Sequence, residues 1–242
     1  MQVCSKTDKG LVRSSNQDYC RTGLLDDGTV WAIVCDGMGG ANGGATASRI
    51  ATDTIAEQVV ELYKDERYYS DIEKLIRTAI AIANQRVYDI SNNVYSLNGM
   101  GTTVVTSIVK DNIVHIVHAG DSRAYLYENG SVRQVTKDHS MVQELVDIGQ
   151  ITPEQAQNHP NKNIITRALG TRANLRTDYN YVGFSKGNVL IMCTDGLSNY
   201  ITEDSLSGYI QRYQGSELAD KLVEQANAMG GSDNITVVVI EG

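Results

Sequence analysis

The sequence predicts an α+β fold in which paired helices and antiparallel strands form separate layers. Two amphipathic helical patterns follow each other directly, and four short apolar runs separated by turn signals come next. The regular alternation of strand and helix that indicates a parallel sheet is missing from this order. The 242 residues contain no repeat, low-complexity linker or charge block. We therefore expect one domain spanning residues 1–242.

The first third of the chain is predicted to contain strands followed by helices. A strand, a turn and a strand cover residues 2–35, with an Asp27-Gly28 turn before the apolar run VWAIVC. After a cluster of glycines, apolar residues recur with a helical period over 45–62 and again over 72–90. These two segments are the predicted helix pair.

A run of strands is predicted next. The apolar segments are separated by turn signals at Asp111-Asn112 and Asn129-Gly130, so we expect one antiparallel meander at 102–109, 113–119, 122–127 and 132–135. Residues 136–180 contain both prolines and are predicted to form an irregular excursion with short helical pieces around 141–148. The pattern ends with strands at 189–193 and 235–240, and helices at 203–213 and 216–229.

Composition narrows the classes of function. The chain carries 21 Lys and Arg against 29 Asp and Glu, a formal net charge of −8, which argues against a nucleic-acid partner. No apolar run approaches the ~20 residues of a membrane-spanning helix, and the first residues do not read as a signal peptide. We expect a soluble, cytoplasmic monomer without a membrane partner.

Cysteine and histidine give no sign of a zinc site. His115 and His118 are three residues apart in a strand-like run, so their side chains should point to opposite faces. The cysteines form no C-x-x-C pair and lie in or beside apolar stretches, so we expect reduced, buried thiols at Cys4, Cys20, Cys35 and Cys193.

Apolar runs repeatedly lead into an aspartate close to a glycine. The segments are VCDGMGG, HAGDSRAY, CTDGLSN and GGSDNITVVV, which contain Asp36, Asp121, Asp195 and Asp233. Taken singly, each aspartate is explained as a turn former at the end of a strand. Together, the four suggest carboxylates gathered at the edge of a sheet.

Gathered carboxylates need protons or cations between them. Two unit charges about 4 Å apart repel by roughly 4 kcal/mol at an effective dielectric constant near 20. Oxygen ligands without His or Cys suit Mg²⁺ or Mn²⁺, and two such ions would favour phosphoryl transfer to water. Arg13, in the segment TDKGLVRSSNQD, could hold phosphate oxygens with its planar guanidinium, although alone it would be an ordinary surface charge.

Eight segments in order resemble the metal-dependent serine/threonine protein phosphatases of the phosphatase 2C type, particularly the single-domain bacterial members. They span nearly the whole chain: TDKGLVRSSNQD, VCDGMGG, GTTVV, AGDSRAY, TKDHS, ITRALG, CTDGLSN and GGSDNITVVVI. The resemblance implies a four-layer αββα sandwich, in which helix pairs flank two antiparallel β-sheets. It also implies a mobile flap at about 136–180 and a metal centre at one edge between the sheets.

The resemblance implies metal-binding roles for five residues. Asp36 would bridge two ions, Mn²⁺ or Mg²⁺, and the carbonyl of Gly37 would bind one of them. Asp195 and Asp233 would bind the other ion. Asp121, together with Asp195, would hold a third and weaker ion.

The implied reaction is direct hydrolysis of phosphoserine or phosphothreonine by a metal-bridging hydroxide, without a phosphoenzyme. Arg13 would grip the phosphate, Asp18 would act through a metal-bound water, and Asn234 would set the loop around Asp233. The substrates would be proteins phosphorylated by a cognate bacterial Ser/Thr kinase.

One position departs from the family pattern. Bacterial relatives usually carry a histidine directly after the DGMGG run, where it could protonate the leaving group, but this chain has Ala41. Loss of a general acid typically costs about 10²–10⁴-fold in rate. The sequence does not assign that role to His118 or His139.

Two other interpretations stay open. One is a catalytically silent phosphatase-like scaffold or regulatory binding module, which should have lost metal ligands that this chain retains. The other keeps the enzyme but directs it at a regulator phosphoprotein of the anti-anti-sigma kind instead of the general targets of a membrane-anchored kinase. Motifs for nucleotide binding and for serine or cysteine nucleophiles are missing from the sequence.

Overall fold

The structure is a computed structural model that describes the backbone of residues 1–242 and the side chains of 1–39 and 43–242. Across the described backbone, eleven strands form two sheets in which every pairing is antiparallel. The first sheet has the order β1-β11-β10-β7-β8 and consists of β1 Gln2–Asp8, β11 Ile235–Glu241, β10 Val189–Cys193, β7 Arg123–Glu128 and β8 Ser131–Gln134. The second has the order β2-β3-β5-β6-β9, with β4 paired to the end of β3, and consists of β2 Asp18–Leu24, β3 Val30–Met38, β4 Gly101–Thr102, β5 Val104–Lys110, β6 Ile113–Ala119 and β9 Asp178–Gly183.

The helices lie outside the sheets. They are α1 Gly40–Leu62, α2 Glu66–Tyr69, α3 Ile72–Asn93, α4 Met141–Asp147, α5 Pro153–Gln157, α6 Asp195–Ser198, α7 Glu203–Ile210 and α8 Gly215–Ala228, with a 3-10 turn at Tyr95–Leu97. The predicted helix pair is found in α1 and α3. Helix α1 begins inside the glycine cluster, before the predicted start at residue 45, because tertiary packing overrides the low helix propensity of glycine.

Buried apolar clusters separate the layers. One cluster joins α1 and α3 to the second sheet and contains Ile33 and Leu75. Another joins the first sheet to α6, α7 and α8 and contains Leu222. A third lies between the two sheets and contains Val34 and Leu190. Neighbours in β3 thus face different clusters, as strand geometry requires, and the predicted αββα sandwich is confirmed.

The expected single meander is wrong, because the chain changes sheets between β6 and β7. Strand β6 pairs with β5 and β9, whereas β7 pairs with β8 and β10. The crossing occurs at Gly120, whose φ of +110° places the backbone in a region that L side chains rarely adopt. Most residues of β6 and half of those of β7 are buried, so the apolar patterns of the two strands could not tell which sheet each one joins.

The opening segment also differs from the prediction. Two strands, β1 and β2, precede the turn at residues 25–29 where one was expected, and the loop 9–17 between them carries Arg13. Cys35 and Cys193 are buried, but Cys4 and Cys20 are only partly buried, because β1 and β2 are edge strands. Burial was therefore predicted wrongly for these two thiols.

The excursion at 136–180 contains α4 and α5 and returns to the main body as β9. Two isolated β-bridges hold the second half of the excursion in place, one between Thr102 and Leu169 and one between Ser140 and Ile165. Its mobility stays a prediction. Among the helices of the described residues, none is long and apolar enough to cross a membrane.

Candidate metal centre and active site

The ends of strands from both sheets meet at a cavity of about 500 Å³. Seven of the eight predicted site residues line it: Arg13, Asp36, Gly37, Asp121, Asp195, Asp233 and Asn234. The eighth, Asp18, is buried and lies opposite Asp36 in the β2–β3 register. Residues that sequence reasoning did not single out complete the lining: Ser14, Ser15, Gln17, Met38, Gly39, Thr103, Asn163 and Ile165.

Two threonines hold the backbone of Asp36. The Asp36 N–H donates to Oγ1 of Thr103 at 2.9 Å. The Asp36 carbonyl accepts from the Thr103 N–H at 2.8 Å and from Oγ1 of Thr102 at 2.8 Å. The Thr103 hydroxyl also lies 2.7 Å from that of Ser122, directly after Asp121. The GTTVV segment therefore links the predicted metal ligands Asp36 and Asp121. In the sequence, the only signal of this role is the pair Thr102-Thr103 directly before an apolar strand.

Gly37 lies where only a glycine fits. A Cβ at this position would meet the Gly44 carbonyl oxygen at 2.1 Å and the Gln17 carbonyl oxygen at 2.6 Å. Its N–H donates to that Gln17 oxygen at 3.1 Å. The backbone after Asp36 is thereby packed closely at the edge of the cavity.

Two aspartates of the predicted site, Asp18 and Asp195, each have one buried carboxylate oxygen without a partner among the described residues. Asp195 begins α6, and its Oδ2 accepts from Asn199 Nδ2 at 3.2 Å. Asp18 Oδ2 accepts from Oγ1 of Thr194 at 2.8 Å. The remaining oxygen of each carboxyl, Oδ1, is buried and has no hydrogen-bond partner among the described residues. Such atoms are costly unless a water or an ion satisfies them.

Asn234 organises the loop that carries Arg13. Its Nδ2 donates to the carbonyls of Lys9 at 2.8 Å and Ser15 at 2.9 Å. Its Oδ1 accepts from the Gln17 N–H at 2.8 Å. Asn234 was predicted to set the loop around Asp233. These bonds show that it also holds the segment 9–17.

Burial shifts the acid–base behaviour of the carboxyls. It raises the pKa of Asp18 and of Asp121 to about 7 and that of Asp195 to about 6, with repulsion from neighbouring carboxylates adding to the effect. It also raises the pKa of Asp36 well above its usual range, again helped by neighbouring charges. Closely placed groups of like charge titrate together, and a divalent cation among them would favour the ionised forms.

The donor set fits hard divalent cations. It consists of oxygens, and two of them are buried and unpartnered. Among the residues with described side chains, no three His, Cys, Asp or Glu side chains converge closely enough to enclose an ion. An ion bound here would therefore complete its shell with water and backbone carbonyls, as Mg²⁺ commonly does in proteins.

The general acid expected after the DGMGG run is replaced by Ala41 in this chain. The side chain of Ala41 lies outside the described residues. Neither His118 nor His139 is among the described residues that line the cavity.

The family described as Protein phosphatase 2C matches residues 11–228. This chain belongs to the protein phosphatase 2C family. The match covers the cavity residues except Asp233 and Asn234, which follow it.

Relatives of the protein phosphatase 2C family match nearly the whole chain. "Serine/threonine phosphatase stp" of Listeria welshimeri is 38% identical over 241 residues, which cover 98% of this chain and 94% of that protein. The crystal structure of the Mycobacterium tuberculosis serine/threonine phosphatase PstP/Ppp has a TM-score of 0.90 at 32% identity, covering 99% of this chain and 97% of that one. A structure of the catalytic domain of PstP in complex with two manganese ions has a TM-score of 0.87 at 32% identity, with the same coverage.

These likenesses confirm the predicted family, the fold class and the class of enzyme. The chain is a protein serine/threonine phosphatase of the phosphatase 2C type, and metal dependence is general to that family. The alternative of a silent scaffold is not favoured.

Proposed function

We propose that this phosphatase hydrolyses phosphoserine and phosphothreonine in proteins at the cavity lined by Asp36, Asp195 and Asp233. The observation that carries the proposal is the convergence of four partly buried aspartates from both sheets with Arg13 on one cavity. We propose Mn²⁺ or Mg²⁺ as the cofactor, with two ions in the core of the site and a third, weaker ion beside Asp121.

The predicted metal and phosphate ligands each have a proposed task. Asp36, the Gly37 carbonyl, Asp195 and Asp233 would hold the two core ions. When bound, these ions supply an activated water and positive charge for the phosphate oxygens. Separately, Arg13 would bind two phosphate oxygens and stabilise the charge that develops on them. Inside the protein, Asp18 would offer its unpartnered Oδ1 to a water of the centre.

The wall of the cavity suggests which residues select the substrate. Asn163 and Ile165 of the excursion form part of the wall, so residues 136–180 are proposed to set the range of phosphoproteins. The opposing enzyme would be a cognate bacterial Ser/Thr kinase, and the phosphatase would act as a monomer in the cytoplasm. Free thiols at all described cysteines fit such a reducing compartment.

Phosphate release from a phosphothreonyl peptide tests the proposed function. The purified protein is assayed with added Mn²⁺, with Mg²⁺ and with EDTA, and Asp195→Asn is compared with Asp204→Asn, a matched change at an exposed aspartate of α7. We expect hydrolysis that requires metal, disappears in Asp195→Asn and persists in Asp204→Asn. A folded, metal-loaded wild-type protein without activity would contradict the proposed function and favour the scaffold interpretation.

A calorimetric titration with Mn²⁺ tests the number of ions. We expect two sites in Asp121→Asn and an additional weak site in the wild-type chain. Equal stoichiometry in both proteins would contradict the third ion.

A further inference from the structure

His139 is a buried residue that the proposed chemistry leaves without a role. It belongs to the TKDHS segment and is 5% exposed. Its ring stacks on that of His118, with 4.7 Å between the ring centres and 7° between the planes. Its hydrogen bonds hold residues next to two parts of the proposed active site.

The first group of bonds holds Gly120, the residue directly before Asp121. The His139 backbone N–H donates to the Gly120 carbonyl at 2.9 Å, and the Gly120 N–H donates to Nδ1 of the His139 ring at 3.2 Å. Both polar backbone groups of Gly120 are thus bonded to one residue. On the far side of Asp121, the Ser122 hydroxyl is bonded to that of Thr103. The turn that carries the Asp121 carboxyl is therefore anchored at both ends.

The second ring nitrogen of His139 faces the excursion. Because Nδ1 accepts a hydrogen bond, the neutral ring carries its proton on Nε2, and burial lowers the pKa of this ring. Nε2 lies 3.0 Å from Oδ2 of Asp178, to which it donates. Arg167 Nη1 is also 3.0 Å from Nε2, but it donates to Oδ1 of Asp178 at 2.7 Å. His139 thus connects the beginning of the excursion to its end at β9.

Bonds of the same segment extend to the cavity wall. The His139 carbonyl accepts from the Thr166 N–H at 2.8 Å, and the neighbouring Ser140 forms a β-bridge with Ile165. Ile165 lines the cavity, as does Asn163. The wall is therefore held by the backbone of residues 139 and 140. The side chain of His139 acts on it through Asp178, which bonds Nε2 and also holds Arg167, two residues after Ile165.

We propose that His139 is a positioning residue with two separable arms. Through Nδ1 and Gly120 it places the Asp121 carboxyl, and through Nε2 and Asp178 it places the wall that contains Ile165. The proposal rests on the proposed function of the cavity. Each arm acts on a different measurable property: the first on the weakest metal site, the second on binding of the phosphopeptide.

Two substitutions separate the arms, because each places an amide near a different ring nitrogen. His139→Asn puts an amide oxygen near the place of Nδ1, where it can accept from Gly120, and loses the bond to Asp178. His139→Gln puts an amide near the place of Nε2, where it can donate to Asp178, and loses the bond to Gly120. His115→Asn is the control, since His115 is bonded to the Tyr179 hydroxyl at 2.8 Å and is not among the described residues that line the cavity.

Mn²⁺ titration by calorimetry and peptide kinetics give the two readouts. We expect His139→Gln to weaken the weakest Mn²⁺ site about tenfold, the scale found for residues that orient metal ligands. His139→Asn should leave that site unchanged and raise KM for a phosphothreonyl peptide about fivefold at nearly constant kcat. His115→Asn should match the wild-type chain in both measurements.

The proposal is overturned if both His139 variants change metal affinity and KM alike, or if neither differs from His115→Asn. Thermal melts establish that the variants are folded. If both His139 variants are unfolded at the assay temperature, Asp178→Asn tests the second arm, and an unchanged KM there overturns it. Metal titration needs no substrate, so a wild-type chain that binds Mn²⁺ without hydrolysing the peptide would count against the proposed function and still test the first arm.

Discussion

Arg13 donates from Nη2 to Oδ2 of Asp233 at 2.7 Å, although 220 positions separate them in the chain. This hydrogen bond raises the pKa of the Arg13 guanidinium, and the negative charge of Asp233 adds a smaller increase. The proposed phosphate ligand and a proposed metal ligand are therefore direct neighbours. A cation bound by Asp233 would compete with Arg13 for that carboxylate and leave the guanidinium for the substrate.

We expect Arg13→Ala to separate substrate binding from metal binding. Losing a charge-assisted bond to the phosphate should reduce kcat/KM about 10- to 100-fold. The affinity for Mn²⁺ should be unchanged or slightly tighter, since a competing cation has been removed. Kinetics and calorimetry measure the two effects, with Arg133→Ala, at an exposed arginine of β8, as control. Loss of Mn²⁺ binding in Arg13→Ala would contradict this account.

Thr103→Val should destabilise the protein and lower its activity. It removes the hydroxyl that accepts from the Asp36 N–H and meets that of Ser122, which leaves buried polar groups unsatisfied. We expect the free energy of unfolding in urea to fall by about 1–3 kcal/mol. The matched change is Thr106→Val in the adjoining strand β5, where the buried hydroxyl has no hydrogen-bond partner among the described residues; it should be neutral or stabilising. Equal effects of the two changes would refute the role of Thr103.

Gly37→Ala should impair both folding and metal binding. Its Cβ would overlap the Gly44 carbonyl oxygen, so the backbone beside Asp36 would have to move. Overpacking of this kind costs about 1–3 kcal/mol, and urea unfolding with Mn²⁺ titration measures it. Gly208→Ala is the control: its Cβ would have open space inside α7, where replacing glycine gains about 0.5–1 kcal/mol. A Gly37→Ala protein that binds Mn²⁺ normally would contradict the close approach.

The metal-free protein should lose stability relative to Asp195→Asn as the pH rises. Burial raises the pKa of Asp195 from 3.8 to about 6, so between these values the folded chain binds more protons than the unfolded chain. The free energy of unfolding therefore falls with rising pH in this window. Without the carboxyl, the variant lacks this contribution. Melting temperatures in EDTA between pH 4 and 6.5 measure the difference, and parallel curves for the two proteins would disprove it.

Much of the site could be predicted because its signals are local in the chain. Aspartates next to apolar runs and close to glycines identified Asp36, Asp121, Asp195 and Asp233, and the structure places all four on one cavity. Strand positions followed from apolar period and turn residues, which depend on neighbouring side chains only. Their assigned tasks as ligands stay predictions.

The missed features depend on contacts between distant parts of the chain. Strand β7 joins the first sheet because it pairs with β10, which is more than 60 residues away in the chain. The apolar pattern of a buried strand does not indicate which strand it pairs with. The bonds from Thr102 and Thr103 to Asp36 likewise join segments that are more than 60 residues apart in the chain. The edge positions that expose Cys4 and Cys20 become apparent only from the sheet order.

The pairing of β1 with β11 has a consequence for how the enzyme is made. Asp8 lies opposite Ile235 in this ladder, so the first sheet joins segments from opposite ends of the sequence. Contacts of such long sequence separation form slowly, typically in milliseconds to seconds. During synthesis on the ribosome, the growing chain has neither Asp233 nor the strand that pairs with β1 until residues 233–241 have emerged. If Asp233 holds a metal ion as proposed, a chain that ends before residue 233 lacks both this ligand and β11, and we expect it to be inactive.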